Sequence, residues 1–260
     1  MTTRAWDRAA ALPVPAGDRP RAEIATLAAS LPSVDELFTF MRDAELRWET
    51  LRMRIEETRT TTRGEETRVY EVTVRHPGDA KVLTSEPSLG TSANYDVWIS
   101  DGETVRTYAA RRKLGTERPV RARVRGVVDG EDLPGMSRVY APMTALQAET
   151  LPELFIHPAG FCQNVLATGD CAVTGTTVVG GREAIVLECV HPRTVQAIGD
   201  RPDFLLRIAV DRLDGALLRL EESIGGRITR DAVATSYQPN AALPPSAFAF
   251  TFPSDTTRLY

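Results

Sequence analysis

All three cysteines and two of the three histidines fall between positions 157 and 191, as His157, Cys162, Cys171, Cys189 and His191. Cys189 and His191 stand two residues apart on a stretch that reads as a strand. Their side chains then share one face, a geometry open to a tetrahedral zinc site. The spacing matches no standard finger and no C-x-x-C is present, so buried thiols are the default reading and no metal is expected. Cys162 and Cys171 flank Thr168-Gly169-Asp170 and could close as a disulfide in an oxidising compartment; in a reducing one they stay free. Cys162 with His157 as base would be a nucleophilic pair, but a base this near in sequence, on a loop, is weak support. No G-x-S-x-G elbow occurs, and Ser137 in Gly135-Met-Ser-Arg lacks its second glycine. The phosphate-cradling glycine patterns are missing too. Glu65-Glu66, Glu131-Asp132 and Glu221-Glu222 lie in charged segments, where solvation accounts for paired carboxylates. The expectation is a protein that is not an enzyme and carries no cofactor.

The elements around these residues are mostly strands. Residues 1 to 20, rich in Ala, Pro and Arg, read as a disordered arm, and residues 21 to 260 as one domain. Arg21 to Ser30 carries Ile24, Leu27 and Leu31 at helical spacing before Pro32 stops it. Ser33-Val-Asp-Glu36 is a capping box. Val34, Leu37, Phe38, Met41 and Trp48 behind it form a helical apolar stripe over 34 to 48. From Leu51 the period changes to two. Leu51, Met53 and Ile55 oppose Arg52, Arg54 and Glu56, and further strands are predicted at 69–75, 95–100, 104–108, 183–190, 204–211, 217–222, 228–237 and 247–252. Asp101-Gly102 and Asp214-Gly215 are hairpin turns. Phe248, Phe250 and Phe252 alternate, which places all three on one inward face of a last strand. The prolines and apolar residues of 133–166 read as one or two short helices with loops. His157-Pro158 and His191-Pro192 mark element ends.

A 42% hydrophobic and 25% charged composition suits a chain able to bury a core. A net charge of -4 gives no general drive toward nucleic acid. One basic run, Arg111, Arg112, Lys113, Arg118, Arg121, Arg123 and Arg125, reads first as a solvated strand edge and second as a patch for anionic headgroups or an acidic partner. Residues 1–20 hold no apolar h-region, and no stretch approaches the length of a transmembrane helix. Stable membrane insertion is therefore not expected. The sequence as written points to the cytoplasm, or to an extracytoplasmic site if a leader has been removed.

The order of "GGREAIVLECV", "VDRLDGALLRLE", "GGRITRDAVATSYQPN" and the closing "LPPSAFAFTFP", preceded by "VRHPGDAKVLTSEP" and "VWISDGETVRTYAAR", resembles the LolA-like and RseB-like lipoprotein-carrier superfamily over roughly residues 33 to 253. The resemblance implies a mainly β fold: a single curved antiparallel sheet, an unclosed half-barrel, with the N-terminal helix and short helices on its concave face. It implies non-covalent binding of a lipid, an acylated peptide or another long apolar ligand. A regulatory module that binds a protein partner, as RseB-like domains do, is the alternative, and an enzyme using the Cys/His cluster is the third. Trp98, Tyr108, Leu154, Phe155, Phe161, Leu187 and Phe204 are the expected cavity residues. Each of them could equally fill a dry core.

Overall fold

A computed structural model describes residues 25–62, 64–87, 94–120, 144, 146–147, 150–190, 192 and 203–259. The proposed N-terminal arm, Ser137, Glu131-Asp132, His191 and Arg121, Arg123 and Arg125 lie outside the described residues.

The strands are β1 (Thr50–Thr61), β2 (Gly64–Arg75), β3 (Asp79–Ser85), β4 (Tyr95–Asp101), β5 (Thr104–Ala109), β6 (Leu114–Pro119), β7 (Asp170–Val179), β8 (Arg182–Val190), β9 (Phe204–Asp211), β10 (Leu217–Ile224), β11 (Arg227–Pro239) and β12 (Thr257–Leu259). They form one sheet in the order β12-β6-β5-β4-β3-β2-β1-β11-β10-β9-β8-β7, which does not close into a barrel. Two meanders, β1 to β6 and β7 to β11, meet where β1 pairs antiparallel with β11, Leu51 opposite Pro239 and Arg59 opposite Arg230. Every pairing is antiparallel except that of β12 with β6. The mainly β, unclosed fold is the expected one.

Three short helices cover one face: α1 (Val34–Arg42), α2 (Leu151–Ile156) and α3 (Ala159–Asn164). The Ser33 hydroxyl accepts from the Glu36 amide, and the Glu36 carboxylate accepts from the Ser33 amide at 2.8 Å, so the capping box forms. Leu37, Phe40 and Met41 turn inward. The helix ends six residues before the expected Trp48, because Asp43 caps it and Ala44–Arg47 tightens into a 3-10 turn. Described residues 25–33 are not helical. Their carbonyls accept from side chains instead: Ala25 from Arg47, and Ala28, Ala29 and Ser30 from Arg212.

The last expected strand, 247–252, is a correction. Pro244 and Pro245 lack the donors that a ladder needs, and turns closed by Ala247 N–H to Pro244 O and Ala249 N–H to Ser246 O fold the segment. This tail crosses the face opposite the helices. Phe250 and Phe252 pack on Tyr108, whereas Phe248 leaves them and lies under the Arg75 guanidinium at 5.0 Å. Gly115 makes room for the crossing, since a Cβ there would stand 2.6 Å from the Phe252 ring. Strands β3, β6, β7 and β12 were not among those predicted. The first two belong to hairpins too short or too charged to show an apolar alternation, and half of the exposed residues of β7 are threonine.

The Asp214-Gly215 turn is longer than a two-residue hairpin. The Asp211 carboxylate accepts from the amides of Leu213 and Asp214 and sets the loop. Gly215, at φ +75°, lies so near α1 that a Cβ would sit 2.9 Å from the Phe40 carbonyl.

Phe155 is wholly buried in the main core, and Phe248 is only half-covered. Phe155→Ala should cost about 3–5 kcal/mol through lost burial and a cavity. Phe248→Ala should cost about 1 kcal/mol or less, the worth of one exposed cation–π contact. Denaturant unfolding of both variants checks the pair, and equal losses would place the tail in the core.

Candidate functional site

Cross-strand partners share a face, so the register fixes what the helices cover. Trp98 on β4 opposes Val82 on β3 and Thr107 on β5. Leu187 on β8 opposes Ile208 on β9. These strands, with Ile55 of β1 and Leu220 of β10, supply an apolar floor that runs from one meander to the other. Above it lie Phe155 and Ile156 of α2, Cys162 of α3 and Leu166 of the 3-10 turn that follows, all buried.

Of the expected cavity residues, Trp98, Phe155, Leu187 and Phe204 are buried in this one cluster, and Leu154 and Phe161 pack against it half-exposed. Tyr108 does not join them. It opposes Val97, and so faces the other side of the sheet, where Phe250 and Phe252 cover it. Residues ten apart on two strands share or oppose faces according to the turn between them, and the loop at Asp101–Thr104 sets the parity that separates Tyr108 from Trp98. Whether the remaining residues meet a ligand is taken up below.

The cover contains polar groups. The Nδ1 of His157, the C-cap of α2, lies 2.5 Å from Oε1 of Glu45, in the turn after α1. Both are buried, so the pair ties α1 to α2 in a place water barely reaches. Cys162 does not face His157. Its Sγ lies 3.7 Å from Met41 Sδ, and complete burial pushes its thiol well above the usual range. The nucleophile and base pairing considered from the sequence is therefore not assembled. Among the described residues no group of three or more His, Cys, Asp and Glu could hold a metal ion. Cys171 faces Cys189 across the strand pair, not Cys162, and all three cysteines are free thiols.

At one end of the floor the apolar residues give way to charge. Glu57 continues the inward stripe of Leu51, Met53 and Ile55 and has no exposed side-chain surface. Its carboxylate accepts from the Tyr70 hydroxyl at 2.7 Å, Arg59 Nε at 2.7 Å and Arg230 Nε at 2.6 Å. Arg230 also donates to Glu222 at 2.9 Å, so that carboxylate is held and not merely solvated. Burial alone would raise the Glu57 pKa, but Arg230, Tyr70 and Arg59 outweigh it and hold the group below its usual 4.5. Burial, and then the Glu57 charge, push Tyr70 up to about 12. Sequence reading missed this network, although a Glu two residues beyond Ile55 in an apolar stripe was its signal.

The basic run divides. Lys113 pairs with Asp255 at 2.6 Å, and Arg111, Arg112 and Arg118 are exposed. The three-residue β12 covers the edge of β6 at Leu114, Gly115 and Thr116, so the bare-edge reading does not apply there.

No family model and no curated protein matches the chain. Solved structures do resemble it. They include the complex of MucA and MucB from Pseudomonas aeruginosa, at 13% identity and TM-score 0.48 over 84% of this chain and 61% of that one. Others are the lipoprotein LppX of Mycobacterium tuberculosis, at 11% identity and TM-score 0.39 over 81% of this chain and 98% of that one, and a LolA superfamily protein from Nitrosomonas europaea, at 11% identity and TM-score 0.33 over 84% and 98%. These likenesses are of fold. The chain spans less than two thirds of the MucB chain.

The Glu57 network makes stability acid-dependent. Its folded pKa is lowered, so its contribution is complete above about pH 4.5 and drains as pH falls through the folded value. Glu57→Gln should flatten that acid limb, and should cost about 1–3 kcal/mol at neutral pH because Arg230 loses one charged acceptor and keeps Glu222. Urea unfolding between pH 7 and 3 reads both, and an unchanged acid limb would show that Glu57 does not drive it.

Proposed function

We propose that the chain is a non-catalytic binding protein which takes a long apolar ligand, a lipid or an acylated peptide, against the helix-covered face of its sheet. The observation that carries this reading is the mismatch between floor and lid. The apolar floor extends across both meanders, while among the described residues the mid-chain part of the lid consists of two helices of six residues each, a 3-10 turn and Leu146. Helices this short have little stability of their own and hold their place by packing alone. A ligand that offers equivalent apolar surface could replace Phe155 and Ile156 over the floor at small net cost, because one apolar contact would be exchanged for another. Leu154 and Phe161, half-exposed on the lid, would meet such a ligand first, with Trp98, Leu187 and Phe204 beneath.

A second reading, a module that binds a protein partner, has its own support. Strand β7 is an edge of the sheet, and from Cys171 to Val179 it carries no charged residue. Edges are usually blunted by charge or proline, and one left open can accept an added strand.

Purified protein should bind a fluorescent fatty-acyl probe with saturable one-to-one stoichiometry. Leu154→Asp should weaken that binding at least about tenfold, since a carboxylate in a dry contact is strongly disfavoured. Leu154 is the better position for this test than Phe155, whose complete burial would make an Asp unfold the lid outright. Absence of saturable binding by the native chain would defeat the apolar-ligand reading and leave the partner-binding one.

A further inference from the structure

Cys171 lies on the edge strand β7 directly opposite Cys189 on β8. Opposed residues of an antiparallel pair have Cα atoms about 4.5 or 5.5 Å apart and side chains on the same face. Both spacings fall inside the span of about 4.4–6.8 Å that a disulfide bridges. The two sulfurs also converge on a single acceptor. Cys171 Sγ donates to the Leu166 carbonyl at 3.1 Å and Cys189 Sγ approaches the same oxygen at 3.4 Å. Cys189 is fully buried and Cys171 is partly open to solvent, so the pair has one accessible member. The third thiol, Cys162, is buried against Met41 and outside this register.

We propose that Cys171 and Cys189 are a disulfide-forming pair that staples the edge strand β7 to β8 when the chain meets a small-molecule or protein disulfide. The exposed Cys171 sulfur attacks one sulfur of the oxidant, forming a mixed disulfide. The departing thiolate takes up the proton that Cys171 gives away. Cys189 Sγ then attacks Cys171 Sγ, breaking the mixed disulfide, and its own proton goes to the second departing thiolate. Two S–H bonds of the protein become one S–S bond, the oxidant's S–S bond becomes two S–H bonds, and two electrons pass to the oxidant. The Leu166 carbonyl loses both thiol donors on closure but keeps the Gly169 amide at 3.1 Å, so it is not left bare. The turn that ends the lid is thereby released from the sulfurs of the floor.

Incubation of the folded chain with glutathione disulfide tests this. The count of thiols after denaturation should fall from the three of the sequence to one, with a mass loss of about 2 Da. Digestion after acidic residues, which separates Cys162 from Cys171 at Asp170, should yield the Cys171 and Cys189 peptides joined. Cys162→Ser should leave the link intact, and Cys171→Ser, at a partly exposed position, should abolish it. Three thiols remaining, a link through Cys162, or a glutathione adduct that persists on Cys171 would each overturn the proposal.

Discussion

A sheet that stays open has an apolar face that it cannot bury by itself. In a closed barrel the floor meets its own far wall, and in a sandwich a second sheet supplies the cover. Here the two meanders meet at β1 and β11, and the edges β7 and β12 stay apart. Helices α1, α2 and α3 are placed by the need to cover the floor. The capping box fixes where α1 starts, and Leu37, Phe40 and Met41 direct it downward. Gly215 lets the β9–β10 loop lie against Phe40, and the guanidinium of Arg47 donates to the Phe40 and Asp214 carbonyls. The opposite face is treated differently: a tail folded by turns crosses it, held by Phe250 and Phe252 on Tyr108 and by Lys113 on Asp255.

Polar groups bound that floor at one end and stand within its cover. At the end of β1, β2, β10 and β11 the floor passes from Ile55 and Leu220 to Glu57, Arg230 and Glu222. A buried carboxylate with three donors is satisfied, and it leaves no oxygen free for an incoming ligand. The network therefore bounds the apolar floor and does not extend it. Within the lid, Glu45 and His157 bring the turn after α1 against the end of α2, and Phe155 and Ile156 are held by apolar packing.

Much of this was legible in the sequence. The period-two runs at 51, 69, 183 and 204 became β1, β2, β8 and β9, since their alternation records which face is dry. Ser33 and Glu36 announced α1 because a capping box is local chemistry. The two-residue loop Gly102-Glu103 pairs Trp98 with Thr107 and so puts Tyr108 on the other face, a parity that the Asp101-Gly102 turn implied and the choice of Tyr108 overlooked. The tail misled because alternating Phe residues signal an extended chain but not a paired one, and Pro244 and Pro245 removed the donors. Glu57 was overlooked because its partners Tyr70 and Arg230 lie far along the chain and meet it only through register. Cys171 and Cys189 were separated by the same limit: sequence proximity suggested Cys162, and the pairing of β7 with β8 supplied Cys189.

The sulfur pair and the lid meet at one atom. Leu166 opens the 3-10 turn that follows α3, and its carbonyl accepts from Cys171, Cys189 and the Gly169 amide. Leu166 itself is buried, so its side chain holds the turn to the floor while its oxygen holds both thiols. Gly169 passes so close that a Cβ there would stand 2.7 Å from Cys189 Sγ, which ties the backbone path to the sulfur position. Any change in the bonding of those sulfurs therefore acts first on the junction between lid and edge strand. The lid, in turn, is the part of the molecule whose loss would bare the apolar floor.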